Sequence, residues 1–161
     1  MINDIDMKHL RRCVELARIA LSEGNPPFGS ILVAANGDVL REDYNRSSSG
    51  DLTRHPEFAL ARWAAENMPL EERGKATVYT SGEHCSMCAA AHGWVGLGRI
   101  VYISSSTQLA GWMAELGVPP SKVRRLSIQD VIRDTIVDGP VEELSDDIRQ
   151  LHVQRHRPDH K

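Results

Sequence analysis

Two short segments hold residue types that can do chemistry together, His55-Pro56-Glu57 and Cys85-Ser86-Met87-Cys88. Cysteines three apart on a helix lie one turn apart, so both sulfurs can face one ion. Alone, such a pair reads equally as a redox dithiol, half of a structural zinc site, or two buried small side chains. A His-x-Glu about thirty residues upstream changes the reading. One imidazole and two thiolates make three protein ligands, leaving the fourth tetrahedral position of a zinc ion to water, as in a catalytic site. A helix N-terminus at Cys85 favours the thiolates such a metal requires. His55 and Glu57 are two apart, so at a helix start they diverge. His55 can bind the ion while Glu57 reaches across the water. Zinc lowers that water's pKa from 15.7 towards about 7, and the carboxylate can take up and relay its proton. His92, four residues after Cys88, could instead close a Cys-Cys-His-His structural site, but that leaves the spacing of His55 and Glu57 without a reason. His92 is therefore read as a core or interface histidine.

The elements that must position these groups follow from apolar periodicity and chain breakers. Ile5, Leu10, Val14, Ala17 and Leu21 recur at helical spacing up to Gly24, and Asn25-Pro26-Pro27 breaks the run. Residues 28–35 read as a strand, Asn36-Gly37 as a hairpin turn, and 38–42 as its partner strand. Polar residues 44–54 read as a loop. A helix starts near His55, with Thr53 as N-cap and Pro56 in the first turn, and ends at Met68-Pro69. Then follow a strand at 76–80, a helix at 85–95, a strand at 99–104, a helix at 108–116 and a strand at 123–127. Residues 128–136 and 142–155 read as helices. The alternation implies an α/β sandwich with helices on both faces of a mixed five-stranded sheet, antiparallel at the hairpin and parallel where helices cross over. Cys13 lies on the apolar side of the first helix and reads as packing.

The 161 residues fit a single domain, with 41% apolar and 25% charged residues. No apolar run suits a membrane span, and the start of the chain lacks a signal peptide's hydrophobic stretch, so a cytoplasmic protein is expected. Three cysteines without an export signal favour metal or redox chemistry over a disulfide framework. A formal charge of -3 gives no global attraction for a polyanion, so nucleic acid is possible as a partner but not favoured. The one basic cluster is the tail from Arg149 to Lys161.

His55-Pro56-Glu57 followed by Glu83-His84-Cys85-Ser86-Met87-Cys88 resembles the signature of the cytidine-deaminase-like superfamily. Pro27-Phe28-Gly29 before a strand, Asn45-Arg46 in the loop and Arg99-Ile100-Val101-Tyr102 resemble its guanine, cytosine and tRNA adenosine deaminase branch. The resemblance covers roughly residues 5–115. It implies a three-layer α/β/α fold, a homodimer, and hydrolytic replacement of an amino group by a carbonyl. It further implies one zinc on His55, Cys85 and Cys88, proton transfer by Glu57, a substrate hydrogen bond from Asn45, and Phe28 lining the pocket. Trp94 and Trp112 are candidates to stack on a flat heterocycle, or else to serve the core or a dimer interface. Residues 145–161 form a solvated tail or a lid. Two positions depart from the pattern: Pro56 stands where alanine is usual and His84 where proline is usual. Pro56 costs little in a first turn. His84 adds a titratable side chain beside the metal, at the surface, behind the ligands or against substrate. The leading expectation is deamination of a small free base (guanine, cytosine or an aminotriazine); the alternatives are adenosine in tRNA, a nucleoside, or a zinc-stabilised module without catalysis.

Overall fold

The computed structural model describes residues 1–157. Its order is α1 (Asp4–Ser22), β1 (Gly29–Val33), β2 (Val39–Tyr44), a 3-10 turn (Ser47–Ser49), α2 (Pro56–Asn67), α3 (Leu70–Arg73), β3 (Thr77–Gly82), α4 (Ser86–Val95), β4 (Ile100–Ser104), α5 (Ser106–Glu115), α6 (Ile128–Val131), β5 (Val137–Asp138) and α7 (Glu142–His156). The strands form one sheet in the order β2-β1-β3-β4-β5. β1 pairs antiparallel with β2 and with β3, and β4 runs parallel to both β3 and β5. The sheet is mixed, as the sequence pattern implies.

Alternation along the central strands divides the core in two. Ile31, Tyr79, Val101 and Ile103 face α1 and α7, packing on Leu10, Val14, Ile148 and Leu151. Leu32 and Val78 face the other way, against Leu60, Ala61 and Ala64 of α2, while Ile100 and Tyr102 meet Ala89 and Ile128. This two-sided burial explains why β1 is buried along its whole length. It also fixes what lies over the sheet. Ser30 pairs with Thr80 across the β1–β3 ladder, so both hydroxyls point to the face that α2 covers.

The ends of α1 are tied by specific chemistry. Asn3 caps the helix, its Oδ1 accepting from Asp6 N at 2.9 Å while Asn3 N donates back to Asp6 Oδ2 at 3.0 Å. Asp6 also accepts from Tyr79 Oη at 2.7 Å and from both terminal nitrogens of Arg99. Arg99 in turn reaches Asp138, joining helix to strands at the end of the sheet away from the chemistry. Gly29 lies where β1 passes α1 so closely that a Cβ would sit 2.4 Å from Leu16 Cβ.

Four local expectations are corrected. Residues 123–127 form no strand: Val123 and Leu126 are exposed, and the fifth strand is the two-residue Val137–Asp138, paired with Ile100 and Val101. The helix expected over 128–136 stops at Val131, because Ile132 is extended and Asp134 has φ +59°. His55, and not Thr53, occupies the N-cap of α2. The C-terminal segment through residue 157 is no solvated tail, since Leu144, Ile148 and Leu151 of α7 belong to the core. Residues 158–161, including His160, lie outside the described part. Among the described residues, no helix is long and apolar enough to cross a membrane.

Candidate active site

The C-terminal ends of β3 and β4 and the N-terminal ends of α2 and α4 meet at one place. His55 is the N-cap of α2 with extended backbone, followed by Pro56, whose missing N–H costs nothing in a first turn. Cys85 is the N-cap of α4, and its Sγ accepts from Cys88 N at 3.5 Å. This arrangement, one residue before the helix proper, turns the Cys85 sulfur towards that of Cys88. Both sulfurs lie 3.5 Å from His55 Nδ1, and the three ligand atoms fall within 4.8 Å of one another.

These distances fit a tetrahedral ion. With Zn–S near 2.3 Å and Zn–N near 2.05 Å, a tetrahedral angle separates nitrogen from sulfur by about 3.6 Å. The electrostatics agree. The Cys85 thiol is lowered to about 4, first by the hydrogen bond from Cys88 and further by that to His55, against the effect of burial. Cys88 is raised because it is the donor of the pair and is buried, so the two sulfurs share one charge, carried by Cys85. His55 is raised chiefly by its hydrogen bond with Cys85. A cation held by all three would allow both sulfurs to be thiolates.

Glu57 sits on the first turn of α2, 6% exposed, over the paired hydroxyls of β1 and β3. Thr80 Oγ1 donates to Glu57 Oε1 at 2.7 Å; Ser30 Oγ lies 3.1 Å from the same oxygen and 2.8 Å from Thr80 Oγ1. Burial raises the Glu57 carboxyl, partly opposed by the nearby His55 charge and the Thr80 bond. Oε2 makes no hydrogen bond among the described residues. A buried carboxyl with one oxygen anchored, the other free, and a raised pKa is suited to taking up and releasing a proton.

Asn45 is also buried here, at the end of β2. Its Oδ1 accepts from Ser47 N at 2.8 Å and Ser47 Oγ at 2.7 Å, which leaves Nδ2 as the donor free of described partners. Its backbone N–H donates to Phe28 O at 2.9 Å, joining the two positions that sequence reasoning put at the pocket. The Phe28 ring lies over the end of β3, against Gly82, where a Cβ would be 3.1 Å from its Cε1.

The remaining candidates fall in different places. Trp112 is half-buried on α5, with its ring 6.2 Å from that of His152. Trp94 is 90% exposed, nine residues along α4 from Cys85 and six from Cys88, so about 13 and 9 Å of helix separate it from the two cysteines of its own chain. It borders a surface groove of about 480 Å³ with Val131 and Ile132. That groove and a second of about 520 Å³ between α1 and the hairpin both lie away from the His/Cys/Cys group. His84 is not a surface residue: it is 1% exposed, edge-on to His92 at 5.4 Å, with neither ring nitrogen hydrogen-bonded. Burial, reinforced by His92, holds it neutral. His92 Nε2 donates to Gly98 O at 2.7 Å, the core role expected of it. Cys13 is buried in the core.

Sequence reasoning missed three groups. Ser30 and Thr80 had no motif, and only the strand register reveals them. His152 sits on α7, its ring 5.1 Å from Phe28 and its Nε2 buried without a partner. No sequence signal separates it from the other histidines of the tail.

Residues 3–104 match the cytidine and deoxycytidylate deaminase zinc-binding region. The chain belongs to this family. The matched span contains all three metal candidates and Glu57. A probable cytosine deaminase of Schizosaccharomyces pombe is 35% identical over 109 residues, 67% of this chain and 65% of that protein. A tRNA-specific adenosine deaminase of Agrobacterium fabrum is 36% identical over 87 residues, 53% of this chain and 57% of its own length. The matches thus span less than two thirds of these relatives. A guanine deaminase from Nitrosomonas europaea superposes with a TM-score of 0.71 over 97% of this chain and 86% of that one, at 18% identity, which shows a shared fold.

Proposed function

We propose that this chain hydrolyses the exocyclic amino group of a nucleobase-type ring, with guanine, cytosine and aminotriazines as the ring chemistries, so that R–NH₂ and water become a ring carbonyl and ammonia. The observation that carries this reading is Glu57. A closed structural zinc site has no use for a buried carboxyl beside its ligands, whereas deamination needs one. His55, Cys85 and Cys88 would hold zinc, which when bound supplies the Lewis acidity that makes water a nucleophile at neutral pH. Glu57 Oε2 takes one proton from that water and delivers it to the ring nitrogen. It then carries the second proton, from the hydroxyl now on the ring carbon, to the departing nitrogen, so that the carbonyl forms as the C–N bond breaks and ammonia leaves. Thr80 and Ser30 hold Oε1, so the proton moves at the other oxygen. Asn45 Nδ2 orients the ring through an acceptor on it, and Phe28 supplies an apolar wall. Trp94 belongs in this reading to a homodimer face, since a large exposed aromatic is unusual on an isolated surface. Its free cysteines suit a reducing cytoplasm.

The test is ammonia release from a panel of guanine, cytosine, adenine, their nucleosides and aminotriazines, with zinc content measured alongside. Wild-type protein should release ammonia from at least one, and Glu57→Ala should keep zinc and fold while losing turnover. Zinc-loaded protein that is inactive on the whole panel and on tRNA would leave a non-catalytic zinc module as the correct description.

A further inference from the structure

The loop between β2 and α2 carries Asn45 at one end and runs into His55 at the other. Most of it stands in the open. Residues 48–54 are all exposed, and within 45–54 only Asn45 and Ser47 are buried. Such a loop keeps its shape through the few hydrogen bonds it makes to the body of the protein. Among the described residues, Asn25 is the only hydrogen-bond partner that residues 46–54 find outside the stretch 43–55. Asn25 Oδ1 accepts from Ser48 N at 3.0 Å and also from Ser48 Oγ. Asn25 is itself a rigid base. It is 4% exposed, its N–H donates to Ala20 O at 2.9 Å at the end of α1, and Pro26 and Pro27 follow with φ fixed by their rings.

From Ser48 the clamp reaches Asn45 through one peptide bond. Ser47 and Ser48 are neighbours in the 3-10 turn, and Ser47 N and Oγ both donate to Asn45 Oδ1. A backbone N–H can only donate, so the atom facing it must be oxygen, and this fixes which way each carboxamide points. Both Nδ2 groups are turned away from the serines. Among the described residues, buried side-chain nitrogens without a partner belong to His84 and His152 alone. Asn45 Nδ2, which has no described partner either, therefore opens onto space that a ligand atom can reach.

We propose that Asn25 is a positioning residue for substrate selection: through Ser48 and Ser47 it locks the Asn45 carboxamide as a hydrogen-bond donor. The inference rests on the deaminase reading above, in which Asn45 orients the ring. A carboxamide is nearly symmetric in shape, and a half-turn about its Cβ–Cγ bond exchanges donor for acceptor. Held as a donor, it meets a ring carbonyl or an unprotonated ring nitrogen. A ring N–H at the same place sets donor against donor and leaves both unpaired, which rejects that ring strongly. Asn25 acts on binding and not on proton transfer, because its relay of bonds ends at Asn45 while Oε1 of Glu57 is held by Thr80 and Ser30.

The experiment compares zinc-loaded wild type with Asn25→Ala and Asn25→Asp on whichever ring releases ammonia in the panel. Only the oxygen of Asn25 is used, so aspartate keeps the clamp and alanine removes it. In Asn25→Ala the substrate must order a freed Asn45 side chain. KM should rise about 3- to 10-fold, the scale of immobilising one side chain on binding, while kcat stays within about twofold. Zinc content and the acidic limb of the pH profile should not move, and Asn25→Asp should restore KM. A second arm is independent of turnover: in Asn25→Ala the N–H groups of both Ser48 and Ser47 should exchange with deuterium at least about tenfold faster, and in Asn25→Asp at the wild-type rate. Faster exchange at Ser48 alone overturns the relay, as do an unchanged KM in Asn25→Ala and an Asn25→Asp as impaired as alanine. Asn45→Asp keeps both bonds from Ser47 and withdraws only the donor, so an unchanged KM there also overturns the proposal, while its ammonia release upholds the deaminase reading. A panel in which no ring releases ammonia rejects that reading, and the exchange arm then decides the clamp by itself.

Discussion

Thr80→Val is the sharpest probe of how Glu57 is tuned. Valine keeps the shape and β-propensity of threonine in β3 and removes only the hydroxyl that donates to Glu57 Oε1 at 2.7 Å. Ser30 remains 3.1 Å away, so one donor survives at that oxygen. A hydrogen bond to a charged group contributes about 1.5–3 kcal/mol, and roughly half persists when the acceptor is neutral. The part that matters for proton transfer is the difference between the carboxylate and the carboxylic acid, about 0.8–1.5 kcal/mol, which corresponds to about a 4- to 13-fold loss in kcat. The direction of the pH effect follows too. The Thr80 bond holds the Glu57 pKa down against burial, so its loss raises that pKa further and moves the acidic limb of the kcat profile to higher pH. Steady-state ammonia release across pH, with zinc content and melting temperature as controls, measures both. Thr80→Ser should restore both. An unchanged kcat and an unmoved limb in zinc-replete Thr80→Val would refute the idea that this hydroxyl pair sets the proton shuttle.

Two further outcomes concern the frame. Asp6→Asn should cost about 2 kcal/mol at neutral pH, because the Arg99 and Tyr79 hydrogen bonds outweigh burial and lower its carboxyl from 3.8 to about 2. The folded pKa is depressed, so this stabilisation is present above about pH 4 and lost as pH falls through about 2. Urea titrations should find the gap between wild type and variant closing over that window, and a constant gap would show the charge to be irrelevant. Gly29→Ala should destabilise by about 1–3 kcal/mol, since its Cβ would meet Leu16 Cβ at 2.4 Å and Cys13 O at 2.7 Å; an unaltered melting temperature would contradict the close approach of β1 to α1.

What could be read from residues alone divides by range. The Asn36-Gly37 turn is local: Gly37 has φ +94°, its neighbours close the hairpin, and the dipeptide announces it. Helix α1 is largely local too: Leu10, Val14 and Ala17 of its apolar repeat are the face it buries, while Ile5 stays exposed. The fifth strand is neither. Residues 123–127 carry valine and leucine but stand in the open. Val137–Asp138 has only two residues and earns its place through distant partners, Ile100, Val101 and the Arg99 guanidinium. Propensity sees the first stretch and has no access to the second.

The same division runs through the site and explains why metal ligands are easier to recognise than the residues around them. Cys85 and Cys88 are bound to each other by helix geometry, and His55 to Glu57 by two peptide bonds, so spacing alone displays them. Ser30 and Thr80 are 50 residues apart and meet only because the β1–β3 register puts them side by side. Net charge misleads for a related reason: it sums over a surface on which α7 alone runs from acidic to basic. A total of -3 weighs against a polyanion only if the charges are evenly spread, and along α7 they are not. The motifs therefore display the groups that local geometry ties together, while the groups that tune them must be read from where folding brings distant strands side by side.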